Sequence, residues 1–149
     1  MKIKSALIAM MFLSGVVHAA GCETIEEMDA VDAAISKIHD WTGVHSFYSH
    51  LQQCDDGSIS EGISATVVNL LAHQWGTSGQ LEKIADNDKT FESWGLSHID
   101  TTVDDRDLEI IVKNAKRKCS EGDGNFCEKI EDAANQALQE IKIPPLTPK

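Results

Sequence analysis

From Thr24 onward the apolar positions Met28, Val31, Ile35 and Ile38 recur at i, i+3, i+7 and i+10, the spacing that lays one stripe along an α-helix. Thr24 followed by Glu27 is a capping-box signature at its start, and Gly43 is the expected stop. The opposite face carries Glu26, Asp29, Lys37 and Asp40, so this helix turns acid to solvent. Val44, Phe47, Tyr48, Leu51 and Cys54 share one side of a second helix that ends in the turn formers Asp55-Asp56-Gly57-Ser58. The two are expected to form a hairpin. A third helix, capped by Ser58 or Ser60 and ended by Gly76, shows a wide apolar arc of Ile63, Val67, Leu70, Leu71 and Trp75 that marks it as central.

Ser78 opens a short fourth helix through Leu81 and Ile84, Asp86-Asn87-Asp88 breaks the chain, and a fifth segment groups Phe91, Trp94 and His98. Thr102 with Asp105 then starts a helix burying Leu108, Ile111, Val112, Ala115 and Cys119. Acids stand at its beginning and Lys113, Lys116, Arg117 and Lys118 at its end, as the helix dipole favours. Val103, Ile110 and Asn114 lie on its other side, so the helix is either sandwiched between two others, the favoured reading, or exposes an apolar strip to a partner. Ile130, Ala133, Ala134, Ala137, Leu138 and Ile141 form a last helix of low side-chain volume before Pro144-Pro145. No segment sustains the two-residue alternation of a strand. The expected fold is all-α: a compact bundle of six to seven helices stapled by two disulfides.

Two lysines, an apolar run from Ala6 to Val17, and small residues around Ala19 give residues 1–20 the form of a secretory signal. The run is about 12 residues, short of the roughly 20 a membrane-spanning helix needs, so no membrane insertion is expected. What is left is a single helical domain over 21–143, a Pro-rich tail over 144–149 and a periplasmic location. Ala19-Ala20-Gly21-Cys22 is close to a lipoprotein box, with Ala where Leu is usual. Lipidation of Cys22 would strand one of the other three thiols in an oxidising compartment, whereas four free cysteines pair completely. Of the three possible connectivities, Cys22–Cys54 with Cys119–Cys127 makes the least topological demand. In the loop-entropy account these are worth about 3.7 and about 2.6 kcal/mol.

Charge narrows the class of partner. The 149 residues carry 13 basic and 24 acidic side chains, a formal −11; without residues 1–20 the balance is 11 against 24, or −13. Such a surface repels phosphate backbones, so nucleic acid is excluded as a partner by electrostatics. With 42% hydrophobic residues the chain is no disordered acidic tail. Catalytic signatures are few: GxSxG, HExxH, GxxxxGK[ST] and GxGxxG are all missing. The stretch from Asp86 starts like a calcium loop but has Phe91 and Ser97 where Gly and Glu are required, and reads as a helix break. His39, His45, His50, His73 and His98 are scattered, and only His98 beside Asp100 has the form of a general base with an orienting carboxylate. No metal and no cofactor are expected.

The mature acidic helical domain, with Leu108, Ile111, Ala115, Cys119, Cys127, Ile130 and Ala133 as its cysteine-linked C-terminal frame, resembles in architecture the small periplasmic immunity proteins against type VI secretion effectors, particularly peptidoglycan amidases. The resemblance implies binding without catalysis: a stoichiometric complex that occludes a wall hydrolase. The partner implied is a protein, a basic effector enzyme, and a homodimer is left open. Asp55, Asp56, Glu121, Asp123 and Asn125, in two polar loops, are the candidate contacts. A periplasmic structural or stress-related shielding protein is the alternative, and a small hydrolase using His98 and Asp100 the third.

Overall fold

The computed structural model describes residues 21–119 and 124–143. The expected signal (1–20), most of the loop between the last two cysteines, and the tail (144–149) lie outside the described residues. Among the described residues there are seven α-helices and no strand: α1 (Ile25–Ile35), α2 (Trp41–Leu51), α3 (Gly57–His73), α4 (Ser78–Asn87), α5 (Lys89–Ser97), α6 (Asp105–Lys118) and α7 (Gly124–Lys142), with short 3-10 turns at Gln52–Cys54 and Trp75–Thr77. None is long and apolar enough to cross a membrane.

The central helix is α3. Ile59, Ile63, Val67, Val68, Leu70, Leu71 and Ala72 are all buried along it, and α1, α2 and α6 pack on it. Helix α6 lies between α3 and α7, as its two apolar sides require. Ala134 and Ala137 on α7 are buried there, and their small side chains let the two helices approach closely. Asn114, which faces α3, is buried, and its amide donates to the carbonyls of Leu71 and Ala72 at 3.0 Å each. Those carbonyls belong to the last turn of α3, where the helix supplies no partner.

Several boundaries differ from the pattern-based expectation, always for a capping reason. Gly43 does not end a helix. Asp40 caps α2, its carboxylate accepting the Gly43 N–H at 2.8 Å, so Gly43 sits in the first turn. Helix α3 is capped by Asp56 rather than by Ser58 or Ser60, and it ends at His73, before Gly76. Helix α6 is capped by Asp104, not by Thr102. Helix α1 does not pair principally with α2; it lies on α3, with Val31 and Ile35 buried.

Both disulfides pair as expected, Cys22 with Cys54 and Cys119 with Cys127, at Cα separations of 5.5 and 6.3 Å. Such bonds persist in oxidising compartments, outside the cytoplasm. The Thr24–Glu27 capping box is present, and Asp88 caps α5 by accepting the Phe91 N–H at 2.9 Å, which is the role the broken calcium-like stretch plays.

Candidate functional site

The most concentrated polar chemistry in the interior runs through six side chains. Asp55 follows the 3-10 turn at the end of α2, and its Oδ2 accepts the Trp94 indole N–H at 2.7 Å and lies 3.1 Å from His98 Nε2. On the other side of the ring, His98 Nδ1 lies 3.0 Å from Ser64 Oγ. The Ser64 hydroxyl donates to Asp100 Oδ2 at 2.7 Å, and Asp100 Oδ1 accepts both the N–H and the hydroxyl of Thr102. Burial pushes the Asp100 carboxyl up, but the Thr102 and Ser64 hydroxyls and the Thr102 N–H together hold it below its ordinary value.

An Asp–His–Ser sequence at these distances has the outline of a nucleophilic triad, but its proton directions are wrong for one. The serine proton goes to Asp100 instead of the imidazole, and both ring nitrogens face acceptors. Asp55 Oδ1 is buried and has no hydrogen-bond partner among the described residues. Ser64 is fully buried on the packed face of α3 and His98 is 3% exposed, so no substrate reaches the hydroxyl. The arrangement ties the α2–α3 turn, α3 and the end of α5 together.

Asp100 therefore adds stability above its ordinary value of 3.8. Because its folded carboxyl binds a proton less readily than the unfolded one, that contribution fades as pH falls below 3.8. Urea unfolding should show Asp100→Asn less stable than the parent by about 1–2 kcal/mol at neutral pH, with the gap narrowing in acid; a gap independent of pH would refute the assignment.

The candidate contacts separate. Asp55 and Asp56 stand at the start of α3, where Asp55 turns inward to Trp94 and His98 while Asp56 caps the helix through the Gly57 N–H at 2.8 Å. Glu121 and Asp123 lie outside the described residues. Asn125 is exposed at the start of α7 and lines a separate cleft of about 270 Å³ that contains neither aspartate. In that cleft the buried Glu92 is gripped by Lys129 and, at 3.0 Å, by Lys89. The two ammonium groups, Lys129 foremost, hold its carboxyl below the usual range. The pairing of Glu92 with two lysines joins α5 to α7.

One run of exposed acid lies on and just before α1. Residues 23–36 hold five acids and no lysine or arginine. Glu23, Glu26, Asp29 and Asp32 are exposed, together with Ile25 at 79% and Met28 at 37%. Ile25, Met28, Asp29 and Asp32 follow i, i+3, i+4, i+7 and lie on one side, adjoining the buried Val31 and Ile35 along the Met28 edge. The helix is fixed at its start by the Cys22–Cys54 bond and the capping box, so this mixed apolar and acidic surface is held in place. Its acidity was evident in the sequence, but the exposure of Ile25 and Met28 was not, because Met28 fits the apolar stripe.

Among the described residues no three His, Cys, Asp or Glu side chains gather as metal ligands would. Compared with protein-family models, curated proteins and solved structures, the chain matches none.

Proposed function

We propose that this is an exported binding protein that inhibits a toxic or cell-wall-degrading enzyme by occluding its active site, in the manner of a periplasmic immunity protein, and that it is not itself an enzyme. The observation that supports this reading is the exposed surface of α1: the carboxylates of Glu26, Asp29 and Asp32 on a stapled helix that also exposes Ile25 and Met28. Carboxylates steer a basic partner into encounter, exposed apolar side chains supply the contact that loses water, and a helix already ordered loses little entropy on docking. A basic hydrolase, with its cleft seated over this face, is the matching partner.

Capture by the immobilised mature chain from periplasmic extract, or from products of neighbouring genes, should yield one basic enzyme bound one to one, with its activity lost on binding. Reversing charge with Glu26→Lys and Asp29→Lys together should slow association about tenfold or more at low salt, and the effect should shrink as salt screens it. Many weak clients in place of one would favour the shielding reading, and unchanged association would remove α1 from the interface.

A further inference from the structure

Where α1 gives way to α2 the chain turns back on itself and leaves a groove of about 390 Å³, within the range of sites that take small molecules. Its apolar floor is Ile38, Phe47 and Leu51, and its rim carries Lys37, His39 and His50. Phe47 is 3% exposed and stacked on Trp94, so the floor is firm.

The rim is out of character with the chain around it. Residues 21–82 contain ten acids, and Lys37 is the one lysine or arginine among them. Elsewhere three lysines meet carboxylates, Lys89 with Asp86 and Glu92, Lys116 with Glu131, and Lys129 with Glu92, while Lys83, Lys113, Lys118 and Lys142 form no ion pair among the described residues. Among the described residues Lys37 has no such partner, and neither has His39. The one carboxylate at the groove, Asp40, is turned onto the start of α2, where it caps the Gly43 N–H. His50 donates its Nδ1–H to the Ser46 carbonyl at 2.9 Å, which leaves Nε2 as the ring atom available to a ligand.

An apolar floor beneath three nitrogen-bearing side chains, two of them unpartnered, matches one chemistry. We propose that this groove binds a small carboxylate with an apolar body, its head group on Lys37, His39 and His50 and its body on Ile38, Phe47 and Leu51. A neutral molecule leaves the ammonium unpaired, and a cation is repelled by it. The site is separate from the outward face of α1 and stands whether or not that face binds an enzyme.

Hydrocinnamate, with hydrocinnamyl alcohol as its neutral counterpart, tests this by amide NMR titration of the mature chain. The acid should shift the Gly43, Ser46 and Phe47 resonances saturably, and the alcohol should bind about tenfold more weakly, the worth of a charge-assisted hydrogen bond. Lys37 is exposed, so Lys37→Met keeps its apolar stem and the fold. That variant should weaken the acid by a similar factor and leave the alcohol unchanged. Equal affinity for acid and alcohol, an acid affinity indifferent to Lys37→Met, or shifts centred elsewhere would each overturn the proposal.

Discussion

Asp55→Ala should cost the fold about 3 kcal/mol, most of it from donors abandoned in the interior. The carboxylate accepts from Trp94 and faces His98, and its side chain is 14% exposed against 4% for the histidine. Removing it leaves an indole N–H and a ring nitrogen without an acceptor. An unsatisfied buried group costs about 1–3 kcal/mol, and two donors left without their acceptor give the expected figure. Chemical denaturation of the purified variant measures it, and a double-mutant cycle with His98→Phe should return a coupling above about 1 kcal/mol. A loss below about 1 kcal/mol would show water replacing the carboxylate and would dismiss the network as a structural tie. The same variant separates two parts for Asp55: a contact residue changes partner association at unchanged stability, whereas the structure makes it an interior strut.

Why Asp55 read as a surface contact is instructive. Asp55-Asp56-Gly57-Ser58 is a run of turn formers, and any of its polar side chains is able to cap a helix or face solvent. Which one does so depends on where α3 begins to pack, and that is set by Ile59 and Ile63 meeting the rest of the core. Gly43 fails as a stop for a related reason: Asp40 caps first, and a glycine in a first turn is tolerated once the flanking Trp41 and Val44 are buried. Helix type, order and number were legible because apolar stripes at helical spacing recur across the chain. The disulfide pairs were legible because one joins ends of a short loop and the other spans two helices. The Ser64–His98 contact was not, since 34 residues separate the partners. The local signal for it was slight: Ser64 lies at i, i+3, i+7 with Val67 and Leu71, a polar side chain at a core position. The groove at Lys37 depends on how α1 turns into α2, which no periodicity fixes.

Removing the Cys22–Cys54 bond by double alanine substitution should cost at least about 2 kcal/mol and at most the roughly 3.7 of loop closure over 32 residues. Removing Cys119–Cys127, a separation of 8, should cost about 2.6 kcal/mol at most. The larger difference is in where the structure loosens. Helix α6 packs on both α3 and α7 whether or not its end is stapled, whereas α1 rests mainly on α3 through Val31 and Ile35 and is otherwise anchored at Cys22. Hydrogen exchange should therefore accelerate in α1 well beyond the global change in the first variant, and stay nearly uniform in the second. If α1 also meets the partner enzyme, that loosened helix must be reordered on docking. The first variant then dissociates faster at charge-steered encounter rates that hardly change, because its carboxylates are still present. Undiminished protection of α1 without its disulfide would show that packing on α3 alone holds the helix, and would remove the staple from the account of binding.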